Sequence, residues 1–432
     1  MLSKPVVLFV NLRRAPQEAR QILLAGRRLG YDIVLLTDNL PPHVAQLIAG
    51  SEVVDTYDFE KALAAARSLA SRFRIEGVIT WADRDVELVA HIGEMLGLRA
   101  PTPPAARRAR NKFEMKQALD HIPGLVPRHA RVRTRQDLEA AIRQIGFPAV
   151  LKPVGASGSK GIFELHKQED VEWAFGKLQE IARPEFDPIF RHYGNELILE
   201  EFVPGPEVSV EGWIFDGEVS VVGITDKWTT EPWHLELQHI HPSRLPASDR
   251  EEIVSKTRLV VKTLGLDYCA FHLEGKLTPA GFRLGEVAAR VGGDYITSHL
   301  VTMSKGIDFF GELLRLVTGH RPSSEPKQTI GAAGVRFLLA ETEGRFAGIH
   351  GIEKVLALWD VEHVFLETPP GGSVLLPPRG FLTARIAAVV ARHPEYETVA
   401  ATLEQAAKMC KVVVTAEDPT DAAVARASGY EA

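Results

Sequence analysis

Phe271-His-Leu-Glu274-Gly-Lys-Leu277 runs into Thr278-Pro-Ala-Gly281 and then Phe282-Arg-Leu-Gly-Glu286-Val-Ala-Ala-Arg290. The outer runs read as strands and the Thr-Pro-Ala-Gly segment as the turn that joins them. With Pro279–Gly281 as the loop, Thr278 pairs with Phe282, and Glu274 falls directly opposite Glu286. Like charges facing each other destabilise a hairpin unless a cation lies between them. Two carboxylates beside a polyphosphate suit Mg²⁺, which takes oxygen ligands and bridges substrate phosphates. A register shift of one residue would instead turn both carboxylates to water. Arg290, four residues after Glu286, is placed to reach a phosphoryl or carboxylate group. Gly292 and Gly293 would let an anion meet backbone N–H groups.

Three upstream segments share this chemistry. An apolar strand, Ala149-Val-Leu-Lys152-Pro153, delivers Lys152 into Val154-Gly-Ala-Ser-Gly-Ser-Lys160-Gly161. Gly155, Gly158 and Gly161 allow backbone N–H groups to approach phosphate oxygens, Ser157 and Ser159 add donors, and Lys152 and Lys160 supply charge. It is not a Walker loop, because Lys160 stands five residues after Gly155 where that pattern needs glycine; an ordinary solvated turn is the plainer alternative. Asn111-Lys112-Phe-Glu114 has capping-box spacing and puts Lys112 in a helix first turn. There a cation opposes the helix dipole unless an anion binds beside it; a solvated surface lysine is the alternative. Leu197 to Gly212 holds two strand-like runs about a Pro-Gly turn. In the second run Glu207, Ser209 and Glu211 alternate with Val208 and Val210, which by itself favours a half-exposed strand. Gln238-His239-Ile-His241 could place two histidines on one strand face, but nothing nearby completes a zinc site, so lining of a substrate cleft is the better reading.

The flanks complete the organisation. Residues 1–105 alternate strand and helix: Val6–Val10, Ala15–Leu29 closed by Gly30, Ile33–Thr37, Phe59–Phe73, Gly77–Thr80, Val86–Leu96 closed by Gly97. That order predicts a parallel sheet with helices on both faces. No G-x-G-x-x-G follows the first strand, so a dinucleotide site is not supported. Ala100-Pro-Thr-Pro-Pro-Ala105 and the stretch from Arg321 to Gln328 read as boundaries. The expected layout is an α/β domain (1–105), an α+β domain of two subdomains (106–192 and 193–322) and a small α+β C-terminal domain (323–432). The 432 residues carry a net charge of −6 without clustering, which gives no reason to expect nucleic acid. Two distant cysteines, Cys269 and Cys410, support neither disulfides nor zinc and fit a reducing cytoplasm. No apolar run approaches membrane-spanning length.

Taken in order, these segments resemble the ATP-grasp superfamily over about 111–320, and within it the bacterial L-amino acid (dipeptide) ligases. The resemblance implies a nucleotide held between two α+β subdomains, with a pre-ATP-grasp domain before and a small domain after. It implies that Lys112 and Lys152 contact ATP phosphates under the loop Gly155–Gly161. Glu200, Glu201, Phe202 and Val203 would form the adenine hinge, and Glu207 would contact ribose. Glu274 and Glu286 would hold Mg²⁺, with Mn²⁺ as a substitute. Arg290 would stabilise the transferring phosphoryl group, and His239, Arg290, Gly292 and Gly293 would face the substrates, a carboxylic acid and an amine of amino-acid type. A cytoplasmic homodimer is in keeping with the family. Where many relatives carry asparagine, this chain has Ala288, which offers no ligand. Purine-biosynthesis or biotin-carboxylase-like ligases, and a non-catalytic ATP-binding module, are the rival readings.

Overall fold

The computed structural model describes residues 4–13, 15–322 and 329–416. Most of the segment from Arg321 to Gln328 lies outside them. The chain divides into two compact units, Met1–Lys227 with His241–Ile330, and Trp228–Ile240 with Gly331–Ala432.

The first unit opens with the expected parallel sheet. Strands β1 (Val6–Val10), β2 (Asp32–Thr37), β3 (Gly50–Val53) and β4 (Ile75–Thr80) stand in the order β3-β2-β1-β4, all parallel. The sequence reading missed β3, whose Gly-Ser-Glu-Val carries little β propensity. Near-continuous apolar runs build these strands because a parallel sheet is covered on both faces. The first helix, α1 (Pro16–Leu29), ends on Gly30 in the left-handed region (φ 76°), which satisfies the last carbonyls. The helices α2 (Phe59–Arg72) and α3 (Val86–Leu96) bury Ala62, Ala66, Leu69, Leu88, Val89 and Ile92 against the strands.

The Pro-rich stretch that interrupts the alternation starts a helix. Thr102 caps α4 (Pro103–Arg110), with proline at the first helical positions. Asn111 ends α4 and caps α5 (Lys112–Leu119). Strands β5 (His129–Val132), β6 (Ala149–Pro153), β7 (Phe163–Leu165) and β8 (Leu197–Glu201) make one sheet, ordered β5-β8-β6-β7. Strands β9 (Glu207–Phe215), β10 (Glu218–Thr229), β11 (Cys269–Thr278) and β12 (Gly281–Ala288) run antiparallel in the order β12-β11-β9-β10. Val208, Val210, Phe271, Leu273, Phe282 and Leu284 turn one face of these strands into a core shared with Ala105, Ala109 and Met115 of α4 and α5. The opposite, polar face is thereby free for chemistry.

In the second unit, the strands Glu236–His241 (all but its last residue), Ala332–Leu339, Arg385–His393 and Val361–Leu366 lie side by side in that order. Ala332, Val389, Val399 and Leu403 form its core with the helix Tyr396–Met409. Among the described residues, no helix is long and apolar enough to cross a membrane.

Candidate active site

The β11–β12 hairpin places Glu274 directly opposite Glu286. The route differs from the one expected. Thr278 pairs with Gly281, not Phe282, so the loop has two residues, and this alone would leave the carboxylates out of step. A bulge at Gly285 then restores the alignment. Lys116 secures the bulge by donating to the Gly285 carbonyl at 2.6 Å.

Each carboxylate is met by cations. Lys112 Nζ lies 2.8 Å from Glu286 Oε2. Glu274 Oε1 accepts from Lys227 and lies 3.1 Å from His272 Nε2. Burial would push both carboxyls up, but Lys227 and His272 hold Glu274 well below the usual carboxylate range. Lys112 likewise holds Glu286 down, against the neighbouring Glu274. Burial would lower His272, yet Glu211 and Glu274 raise it to about 9. Lys227 also bonds Glu207, its cross-strand partner, at 3.0 Å. Two opposed, partly accessible carboxylates give an all-oxygen donor set, which fits Mg²⁺ and does not suit softer metals. Ala288 is buried and adds no donor.

Lys112 is buried rather than solvated, and it joins the hairpin to the Gly/Ser loop. Its Nζ donates to the Ala156 carbonyl at 2.6 Å and its backbone N–H to Val154 O at 3.0 Å. Asn111 caps the helix by accepting from the N–H groups of Phe113 and Glu114. The capping box is incomplete: Glu114 reaches the Asn111 side chain at 3.3 Å, while the Asn111 N–H bonds Arg107 O.

Lys152 on β6 lies 3.0 Å from Glu200 Oε2 on β8, and Lys116 lies 3.0 Å from Glu200 Oε1. Burial would raise Glu200, but the two lysines bring it down to about 2. Burial lowers Lys116 to about 8, opposed by Glu200. The Glu200 side chain is therefore a buried link between two lysines. Glu201 faces outward and meets Arg128 and Arg283, each at 3.5 Å. The Phe202 N–H bonds Pro148 O, Lys276 stands 5.4 Å from the Phe202 ring, and Val203 is half-buried beside them.

Along the loop, Lys160 pairs with Asp187. Gly155 has to be glycine for lack of space, since a Cβ there would lie 2.2 Å from the Tyr193 ring. Its carbonyl accepts from Arg110 at 2.7 Å. Arg110 also grips Asp83, whose other oxygen is 3.7 Å from Arg290 Nε. Strand β12 stops at Ala288, so Arg290 does not share the strand face expected of it. It sits in the bend beyond, donating to Val291 O at 2.7 Å. Arg13, in the loop after β1, donates to Val291 O and Gly292 O at 3.1 and 2.8 Å. Gly293 lies beside Arg13.

Hydrogen bonds and ion pairs thus connect Lys112, Lys152, the loop, Glu286 and Arg290, and separately Glu207 with Glu274. His239 belongs to the second unit, where its ring edge meets Phe337 and its Nε2 lies 3.5 Å from Glu236. His241 is in the first unit, against Ser304 at 2.6 Å, and burial lowers it to about 3. The sequence reading gave no role to Lys116, Arg110, Asp83, Arg13 or His272.

Residues 145–298, which hold the loop, the Glu200–Val203 stretch and both glutamates, match the ATP-grasp domain. The chain carries an ATP-grasp domain. Residues 336–415 match the L-amino acid ligase C-terminal domain 2. The alanine–anticapsin ligase of Bacillus subtilis is 30% identical over 274 residues, covering 60% of this chain and 57% of that protein. Human carnosine synthase 1 is 25% identical over 354 residues, covering 78% of this chain and 43% of the relative. The chain thus spans about half the length of these two relatives. The L-amino acid ligase of Bacillus licheniformis shares the fold with a TM-score of 0.82 at 22% identity, covering 96% of this chain and 99% of that one. The ATP-grasp fold implies use of ATP and Mg²⁺.

Proposed function

We propose that this ATP-grasp enzyme joins an amino-acid carboxylate to the amine of a second amino acid through an acyl phosphate, releasing ADP and phosphate. The observation that carries the reading is the opposed pair Glu274–Glu286, tied by Lys112 to the Ala156 carbonyl of the Gly/Ser loop. Likeness to the alanine–anticapsin ligase and to carnosine synthase 1 supports the substrate class and the reaction type.

A carboxylate is a poor acyl donor because its leaving group would be oxide. Attack of its oxygen on the γ-phosphorus, with departure of ADP, makes the acyl phosphate; the amine then attacks the acyl carbon, loses a proton, and phosphate leaves. Phosphoryl transfer is catalysed mainly by positioning and charge neutralisation. Lys112 and Lys152 supply positive charge for the polyphosphate. Glu274 and Glu286 would hold Mg²⁺, which supplies further charge neutralisation on the phosphate oxygens. Arg290 presents a planar fork to the transferring group or to the oxyanion that follows. The loop Gly155–Gly161 keeps water from the activated acyl group when nucleotide is bound.

The test is a phosphate-release screen over pairs of amino acids with ATP and Mg²⁺. ADP and phosphate are expected only when both partners of a productive pair are present, with the condensed product found by mass spectrometry. ADP formation independent of any acid would overturn the reading.

A further inference from the structure

We infer that Glu211 and His272 form a positioning pair that fixes the carboxylate of Glu274 for its divalent cation. The inference rests on the ligase reading in one respect, that Glu274 is a ligand of the cation accompanying the nucleotide.

The pair is built by strand register. Strands β9 and β11 are antiparallel neighbours, with His272 opposite Glu211 and Glu274 opposite Ser209. Alternation along each strand puts all four side chains on one face. The chain of contacts is continuous: Ser209 Oγ donates to Glu211 Oε1 at 2.9 Å, His272 Nδ1 lies 2.9 Å from the same oxygen, and His272 Nε2 lies 3.1 Å from Glu274 Oε1. An imidazole held at both nitrogens cannot turn, so it sets the direction of the carboxylate it touches. Glu211 is fully buried and its Oε2 has no hydrogen-bond partner. Burying a carboxylate is costly, and an apolar residue would fill this strand position more cheaply. Orienting His272 accounts for its presence. Gly292 packs against the pair, since a Cβ there would lie 2.7 Å from Glu211 Oε2 and 3.0 Å from His272 Nδ1. The pair therefore touches the segment that carries Arg290 as well as Glu274. Partners of metal ligands in this position commonly change metal affinity ten- to a hundredfold when removed.

The experiment is Mn²⁺ binding to the full chain in the presence of ADP, followed by electron paramagnetic resonance, with thermal unfolding as the check on folding. His272→Asn keeps a donor near Glu211 but cannot reach Glu274; about ten- to a hundredfold weaker Mn²⁺ binding is expected. His272→Gln can reach Glu274 with its amide N–H and is expected to stay within about fivefold of the parent, a small part of the range such partners span. Glu211→Gln removes the anchor charge while keeping the shape. It is expected to weaken Mn²⁺ about tenfold, the low end for such partners, so the inference does not depend on one variant folding. Parent-like Mn²⁺ affinity in His272→Asn or Glu211→Gln, or equal losses in the Asn and Gln variants, would overturn the positioning role alone. Failure of the parent protein to bind Mn²⁺ with ADP would overturn the assignment of Glu274 and this inference with it.

Discussion

Glu286→Gln is expected to yield a folded protein that makes almost no ADP. The substitution keeps the size of a side chain that is 26% exposed and paired with Lys112, so the hairpin and its apolar face remain. What it removes is one of two carboxylates held opposite each other. Ala288 offers no donor in compensation. Charge stabilisation by a bound metal is worth several kcal/mol in such reactions, so the loss should be on the order of a thousandfold or more. The measurement is a coupled ADP assay beside circular dichroism and thermal unfolding. Near-normal ADP production by the folded variant would remove Glu286 from the catalytic centre.

Arg290→Lys separates catalysis from binding. The guanidinium of Arg290 is held at two points, with Nη1 on Val291 O and Nε toward Asp83, and Asp83 is in turn gripped by Arg110. An ammonium keeps the charge but cannot keep two anchored edges and still present a planar fork. If its partner is the transferring phosphoryl group or the oxyanion, the loss appears in the transition state. kcat is expected to fall on the order of a hundredfold, as on removing an oxyanion donor, with ATP affinity changed far less. Steady-state kinetics and ATP-binding calorimetry on the same variant decide this. If kcat survives and only the KM of the acid rises, Arg290 clamps a substrate carboxylate instead.

The parts of this protein that sequence made legible are those with a local pattern. Alternation and a Gly C-cap marked the parallel sheet and its first helix. The hairpin was legible because its two glutamates, a turn and an apolar face lie within twenty residues. Even so, the expected three-residue loop was wrong, and the facing of Glu274 and Glu286 depends on a bulge at Gly285 that no periodicity reports. Alternation on β9 marked Ser209 and Glu211 as one face, but period two cannot say whether that face meets water or a buried cleft. Both residues proved fully buried. The His272–Glu274 spacing and the four-residue step from Lys112 to Lys116 were signals available on the page of sequence. Arg13 and Asp83 were not legible at all. They act on Val291, Gly292 and Arg290, more than two hundred residues away, and only the packed fold brings them together.

If a carboxylate is activated by phosphoryl transfer, one of its oxygen atoms leaves with the phosphate. With a productive amino-acid pair in which the acid carries ¹⁸O in its carboxylate, the acid attacks the γ-phosphorus through one labelled oxygen. The phosphate released during condensation is expected to carry one ¹⁸O atom per molecule of product, measured by mass spectrometry or by the ³¹P isotope shift. Product formed with unlabelled phosphate would contradict it.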